Sequence, residues 1–324
     1  MLYLVVFSLL QLLHVEALRT WHTRTLMMPQ IRQGMKSNPF IDVVSTESDI
    51  PQSKDLSQLP DSFEDAVLKA SRCTVELIKL GTKTCRIDFD TTVADMTYTS
   101  LKNTMPMCKA FVGALAADMQ LQTNSSEGPG DTMRLFFPDM GAAALVRRDW
   151  KMGTELAEVP ACVQTANIKN DPLLSTDRVA ILLCPLYSES DYVKRVVEEC
   201  AASSIPCIMI NPELINMDQG FGVRARNMRK TLLAQFVTTY KLRTMKQGAL
   251  VREWPRGFAV WNEDASQEEG YSLLRCYTRE PTREMMDELF DVANPDLGVK
   301  PTEPGAPEKI FAEISGFFKG MQKL

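Results

Sequence analysis

Two short stretches of the sequence place polar side chains directly after runs that read as buried strands. Residues 139–141 follow the apolar run at 133–137, and residues 211–213 follow the run at 205–210. Open α/β sheets bind ligands outside the carboxyl ends of their parallel strands, and the unpaired amides of a helix N-terminus attract phosphate. This placement makes five residues candidate contacts of a small anionic ligand: Asp139, Gly141, Asn211, Pro212 and Glu213.

Each stretch also has a purely structural interpretation. Asp139 is a preferred residue type for the N-cap of a following helix, and Asn211-Pro212 is typical of a turn at a strand end. The first stretch has one glycine where a dinucleotide-binding fingerprint has three, and no Lys-Ser or Lys-Thr pair follows to complete a P-loop. The sequence leaves both interpretations open.

A pair of carboxylates brackets Phe89 on a predicted strand. Asp88 and Asp90 would share one strand face, because alternate residues of a strand point the same way. Metal binding and acid–base chemistry use carboxylates presented in this manner. Solvated strand faces have the same spacing, so the pair does not by itself predict a metal site.

Two further groups are candidates for contact with a partner. A basic cluster on a predicted helix comprises Arg224, Arg226, Arg229 and Lys230. It would be either an anion site or a solvated helix face. Trp254 and Trp261 surround a predicted tight turn, where they would pack inside a β-meander or, if exposed together, bind a partner.

Histidine occurs only at positions 14 and 22, so the chain beyond its leader contains none. This excludes from that region hydrolases with a histidine base, histidine-ligated zinc or haem, and histidine pH switches. The eight cysteines form no C-x-x-C pair, and most lie in apolar runs. Buried free thiols are expected, with a disulfide or a redox switch as the alternative. We predict no catalytic residue, metal or cofactor.

Apolar periodicity predicts alternating strands and helices. Predicted helices lie at 59–81, 95–122, 141–150, 188–204, 224–236 and 281–292. The first has a capping-box pattern at Asp61 and Glu64, and the second is interrupted at Pro106. Predicted buried strands lie at 84–90, 133–139, 177–186 and 205–214, and alternating runs lie at 237–245, 249–255, 257–263 and 271–278. Residues 151–176 have little pattern and are expected to hold an edge hairpin or a lid.

These elements predict one α/β domain over residues 59–294. Its mixed sheet would have a Rossmann-like parallel first half that continues into an antiparallel meander, with helices on both faces. The segment at 177–214 is expected to be a β-α-β unit, which is right-handed when its strands are parallel neighbours.

The N-terminal region has the composition of a targeting leader. Residues 1–17 contain an uncharged apolar run followed by Val-Glu-Ala, which predicts a signal peptide. Residues 18–41 contain no acidic residue and four basic ones, as transit peptides do. A signal followed by a transit-like segment indicates import into a plastid through the secretory route, with ordinary secretion as the alternative. A polar connector at 42–58 follows.

Charge argues against a nucleic-acid partner. The chain has 36 basic and 41 acidic residues. Without residues 1–41 it would keep 32 basic and 40 acidic residues, a net charge of about −8. Nucleic-acid binding needs a basic face.

The C-terminal region contains a proline-rich linker at 295–307 and an amphipathic segment at 308–324. Phe311, Phe317 and Phe318 belong to an apolar stripe at spacings of three and four residues, with lysines nearby. The segment predicts a helix that either packs back on the domain or contacts a membrane surface or a partner.

Several motifs, in order, resemble a plastid and cyanobacterial family built on a domain of unknown function, which includes the chloroplast protein Low PSII Accumulation 3. They are LPDSFEDAVLKA, RLFFPDMGAAAL, the strand ending INPEL, and R-x-x-R-K with F-x-x-x-Y-x-L followed by VREWPRGFAVWNE. The resemblance covers roughly residues 59–289 and implies a stromal auxiliary factor that helps assemble a chlorophyll-binding core subunit of photosystem II. No catalytic residue is implied.

Two functions from different classes follow from these observations. The favoured one is a non-enzymatic plastid assembly factor that binds photosystem II subunits or other assembly factors, in the stroma or at the thylakoid surface. The alternative is a domain that binds a nucleotide or sugar phosphate, as a transferase or a kinase-associated domain would.

Overall fold

The computed structural model describes residues 56–89, 100–121, 130–215, 222–245 and 247–294. The predictions for the signal peptide (1–17), the transit-like segment (18–41), the linker (295–307) and the terminal helix (308–324) lie outside the described residues. So does Asp90, and of the connector at 42–58 only residues 56–58 are described.

The described part contains six α-helices and nine strands. The helices are α1 (Phe63–Lys79), α2 (Ser100–Asp118), α3 (Met140–Asp149), α4 (Ser190–Ala202), α5 (Val223–Thr231) and α6 (Arg283–Ala293). The strands are β1 (Thr84–Phe89), β2 (Thr132–Phe137), β3 (Val163–Asn167), β4 (Asp177–Leu183), β5 (Cys207–Ile210), β6 (Val237–Met245), β7 (Gly248–Glu253), β8 (Phe258–Glu263) and β9 (Tyr271–Tyr277). No helix among these residues combines the length and hydrophobicity that a bilayer crossing requires.

All nine strands form one sheet in the order β3-β2-β4-β5-β1-β6-β7-β8-β9. The strands from β3 to β6 pair in parallel, and those from β6 to β9 pair antiparallel. The predicted α/β class with a mixed sheet is confirmed. Strand β6 belongs to both halves, because helix α5 returns the chain to the sheet in the direction of β1 and a short turn then reverses it into β7.

The first face of the sheet is covered by α1, α2 and α3, which share one apolar core with alternate residues of the parallel strands. Helix α1 begins at Ser62, whose hydroxyl accepts a hydrogen bond from the Asp65 amide. The predicted cap at Asp61 is therefore wrong by one residue. The Ser62 start turns Ala66 and Ala70 toward the sheet, where both are buried.

Helix α2 continues through Pro106 without a break, so the predicted interruption is wrong. Met107, Cys108 and Phe111 follow the proline and are fully buried in the core of the first face. An interior proline costs a helix about 3 kcal/mol, and this packing outweighs that cost. Tertiary burial supplies most of the stability of a helix in a protein.

The second face carries two separate apolar clusters. Helices α4 and α5 pack over the strands from β3 to β5, and α6 packs over β7 and β8. The predicted hairpin or lid at 151–176 is also wrong, because this segment contains β3, an edge strand parallel to β2. The five residues VQTAN give little periodic signal, although four of them are buried.

Candidate functional site

The carboxyl ends of β2, β4, β5 and β1 lie at one edge of the sheet, which we call the carboxyl edge. The chain leaves β2 toward β3 on one side and leaves β4 toward β5 on the other side. The strand connections therefore diverge between β2 and β4, and such a switch point is where open α/β sheets bind ligands. The predicted site residues that follow β2 and β5 are on this edge, with the end of β4 between them.

Asn211 follows β5, the strand next to β4, and its side chain makes two hydrogen bonds within the chain. Its Oδ1 accepts a hydrogen bond from the Phe89 amide at 2.7 Å, and its Nδ2 donates to Thr104 Oγ1 at 2.9 Å. Its backbone is in the left-handed region (φ 47°), which asparagine tolerates better than most residues. Asn211 thereby joins β5 to the end of β1 and to α2, and its amide group is committed within the chain.

The end of β4 contributes a second residue to this arrangement. Cys184 also has a left-handed backbone (φ 42°), and its thiol donates to Thr104 Oγ1 at 3.4 Å. Thr104 is 1% exposed. One buried hydroxyl of α2 thus contacts the ends of both β4 and β5.

Asp139 is exposed and caps helix α3. Its Oδ1 accepts a hydrogen bond from the Ala142 amide at 2.8 Å. A Cβ atom at Gly141 would lie 3.0 Å from the same carboxylate oxygen, so a larger residue there would crowd the cap. The geometry agrees with the interpretation of Asp139 as the helix N-cap, and its carboxylate faces solvent beside the helix N-terminus.

Pro212 and Glu213 continue the turn after β5. The Glu213 amide donates to the Pro185 carbonyl at 2.9 Å, and Glu213 forms a parallel bridge with Leu186. Pro212 is half-buried, whereas Glu213 is exposed. The structure therefore puts Asp139 and Glu213 on the same edge, one strand apart.

Asp88 lies in a different environment, on the second face of β1. Arg86 contacts both of its carboxylate oxygens, at 2.9 Å each, and Lys241 Nζ lies 3.0 Å from Oδ2. Burial alone would raise the pKa of Asp88, but Arg86 and Lys241 outweigh it and hold that pKa below its ordinary value of 3.8. Asp88 is therefore a paired structural anion, and a solvated strand face does not describe it.

Asp88 belongs to a charged strip in the middle of the second face, between its two apolar clusters. We define the charged strip as Arg86, Asp88, Lys241, Arg243 and Arg252. The register places Asp88, Lys241 and Arg252 in one row across β1, β6 and β7. Glu280, in the connection before α6, lies 2.7 Å from Lys241 at the rim of the strip.

The sequence reasoning missed four of the five strip residues. A usable signal was present, because β1 and β6 alternate apolar and charged residues as Cys-Arg-Ile-Asp-Phe and Tyr-Lys-Leu-Arg. Central strands of a mixed sheet are usually apolar on both faces. Strands β1 and β6 are the fifth and sixth of the nine strands in the sheet, and each has one charged face. A residue-by-residue search for motifs does not detect this exception.

The basic cluster and the tryptophans are not brought together with the carboxyl-edge residues by any described contact. Arg226 and Arg229 are exposed on α5. Trp254 packs at the margin of the core of the first face. Trp261 is half-buried, and its indole nitrogen donates to the Ser57 carbonyl at 3.0 Å. Both tryptophans thus have packing roles, and Trp261 joins the segment around Ser57 to β8.

All eight cysteines lie outside disulfides, and six of them are buried. Burial raises the pKa of the Cys85 thiol to about 12 and puts the pKa of Cys108 well above its ordinary value. Such thiols are weak nucleophiles at neutral pH. Within the described ranges no group of three cysteines or carboxylates is placed to hold a metal ion.

One family matches the chain. It is the domain of unknown function DUF1995, and the match covers residues 60–288, which include both the carboxyl edge and the charged strip. Among curated proteins, none matches the chain.

Proposed function

Because the chain belongs to the DUF1995 family and its motifs resemble those of plastid members, we propose that it is a plastid auxiliary factor that assists assembly or accumulation of photosystem II. It would act by binding a protein, without catalysis. The partner would be a chlorophyll-binding core subunit or another assembly factor, met in the stroma or at the thylakoid surface. The leader composition at residues 1–41 supports the plastid destination.

The state of the polar groups at the carboxyl edge supports protein binding. Asn211 lies on the carboxyl edge, and both ends of its amide group are bonded inside the chain. Asp139 caps α3. The mature chain would contain no histidine, and the buried thiols have raised pKa values. A protein partner requires only surface groups, which the chain has on this edge and on the charged strip.

Affinity capture tests the proposal directly. Tagged full-length chain is expected to capture a chlorophyll-binding core subunit of photosystem II from detergent-solubilised plastid membranes. Loss of the gene is expected to lower photosystem II abundance while leaving photosystem I unchanged. The proposal would be contradicted if the tagged chain captured neither a photosystem II subunit nor an assembly factor and the deletion strain had normal photosystem II levels.

A phosphate-bearing small molecule remains the second candidate, and one observation favours it. The switch point between β2 and β4 lies at the end of β2, where helix α3 begins, and the first amides of a helix attract an anion. A panel of nucleotides and sugar phosphates in a thermal-shift assay separates the two functions, since a ligand of the folded state raises the melting temperature. A shift that Asp139→Ala abolishes would favour the small-molecule function. The Asp139→Asn variant is the matched control, because asparagine caps a helix equally well.

A further inference from the structure

The charged strip is a break in the helical cover of the sheet. The core under α4 and α5 ends at β5, and the core under α6 begins at β7. Between them, β1 and β6 present charged side chains on the second face, although they are the fifth and sixth strands of nine. Sequences depart from the usual apolar pattern chiefly at functional sites.

The strip carries positive charge on a chain whose net charge is −5. Its four cations are Arg86, Lys241, Arg243 and Arg252. The carboxylates of Asp88 and Glu280 accompany them, and Lys241 lies between these two at 3.0 and 2.7 Å. The balance over the strip and its rim is two positive charges, so this surface is locally complementary to an acidic partner.

Arg252 lies beside an aromatic ring at the β7 end of the row. Its guanidinium lies 4.4 Å from the centre of the Phe258 ring, and its Nε is buried without a hydrogen-bond acceptor in the part of the chain that the structure describes. The remaining N–H groups of a guanidinium form a planar fork, which suits recognition of a carboxylate. Arg243 lies two residues after Lys241 on β6 and is exposed.

We propose that the charged strip docks an acidic peptide segment of a protein partner, with carboxylates of that segment on Arg252 and Arg243. This inference deepens the proposed function and rests on it, because the occupant is a protein. The alternation of charge favours a peptide over a compact phosphate. A dense anion on the strip would meet Asp88 and Glu280 as well as the cations, whereas separate carboxylates can each pair with one arginine.

Spacing agrees with an extended chain. Arg243 and Arg252 lie on the same face of the neighbouring strands β6 and β7, offset by two residues in register. Their backbones are therefore about 8 Å apart, at roughly 4.8 Å per strand and 3.4 Å per residue. Two to three residues of extended peptide cover this distance at roughly 3.3 Å each, so acidic residues at that spacing match the two arginines.

Fluorescence anisotropy with a synthetic peptide tests the inference. The probe is a labelled peptide of about twelve residues with glutamate at every third position, and its analogue has glutamine at those positions. The full-length chain is expected to bind the glutamate peptide and not the glutamine one, with affinity that falls as salt is raised. Equal binding of the two peptides, or no binding of either, would overturn the proposal.

Two variants assign the binding to the strip. Arg252→Gln and Arg243→Gln should each lower the affinity for the peptide by about tenfold, as loss of one charge-assisted hydrogen bond predicts. Lys169→Gln is the control, because Lys169 is exposed after β3, the edge strand far from the charged strip. This variant changes the net charge equally and should leave the affinity for the peptide unchanged. Arg243 is exposed, so its variant remains informative if Arg252→Gln folds poorly. Unchanged peptide binding by Arg243→Gln and by folded Arg252→Gln would overturn the proposal. Pyrophosphate that displaces the peptide and whose binding depends on Arg252 would also overturn it.

The capture experiment separates this inference from the proposed function. If Arg243→Gln still captures photosystem II subunits as well as the wild type does, the strip is not the docking surface and the proposed function stands. If the peptide binds through the strip but no photosystem II subunit is captured, the strip docks an acidic segment of some other protein and the proposed function fails.

Discussion

The carboxyl edge and the charged strip are both polar regions of the same sheet, but they use their polar groups differently. At the carboxyl edge, Asn211 and Asp139 bond backbone amides and a buried hydroxyl, so they maintain the fold at the edge where open α/β sheets bind ligands. On the strip, charges pair with one another across strands, and Arg252 and Arg243 keep the capacity to bind something else. Fold-level analogy thus favours the first region, whereas the chemistry of individual groups favours the second.

The largest expected effect is on stability and comes from Asn211. Asn211→Ala removes the acceptor of the Phe89 amide and the donor to Thr104, and it puts alanine into a left-handed backbone. We expect a loss of about 3 kcal/mol in the free energy of unfolding, measured by urea denaturation. Asn211→Gly keeps the backbone freedom and should lose about 1 kcal/mol less. A loss below about 1 kcal/mol for Asn211→Ala would mean that the edge is not built around this residue.

The next effect tests the ion pairs of the strip through pH. Asp88→Asn leaves Arg86 and Lys241 without their shared carboxylate and should cost about 2 kcal/mol at pH 7. The folded-state pKa of Asp88 is lowered, so its stabilisation is present above the ordinary pKa of 3.8 and is lost as pH falls through the folded value.

Denaturation curves at several pH values check that sign. The gap in unfolding free energy between wild type and Asp88→Asn should be constant from pH 7 to about 5 and should narrow below about pH 4. Asp149→Asn, at an exposed residue at the end of α3, is the control and should change stability little. A gap that widens in acid would contradict the pairing described for Asp88.

A smaller effect is expected at the turn after β2. Asp139→Ala should destabilise the protein by about 1 kcal/mol through loss of the α3 cap, whereas Asp139→Asn should be close to neutral. Thermal denaturation of both variants gives the comparison. If Asp139→Asn proved as destabilising as Asp139→Ala, the negative charge itself, rather than the cap, would be what the turn requires.

The smallest effects on stability should come from two exposed side chains, one in each region. Glu213→Gln and Arg243→Gln are each expected to change the free energy of unfolding by less than about 0.5 kcal/mol. They should differ in peptide binding, which only Arg243→Gln weakens. Comparable loss of binding in both variants would remove the distinction between the regions.

Much of the fold could be predicted from periodicity. The runs at 177–186 and 237–245 are long and regular, and they appear as β4 and β6. Strand β3 and the unbroken helix α2 could not be predicted. The first is short and partly polar, and the second depends on burial of Phe111 and its neighbours, which no local rule around Pro106 contains.

The candidate site was predictable only in position. Strand ends at Asp139 and Asn211 were correctly placed on one edge, because parallel strands put their carboxyl ends together. What these side chains bond was not predictable, since Thr104 is more than 100 positions from Asn211. The charged strip depends on the register of β1, β6 and β7, and single strands do not contain that information.

A side-by-side capture from solubilised plastid membranes tests the central claim, that the protein works by docking a partner on the charged strip rather than by chemistry at the carboxyl edge. The baits are the wild type, the double variant Asp139→Asn/Glu213→Gln and the double variant Arg243→Gln/Arg252→Gln, each confirmed to be folded. We expect photosystem II subunits with the first two baits and a loss of about tenfold or more with the third. Loss with the carboxyl-edge variant and full capture with the strip variant would contradict the account.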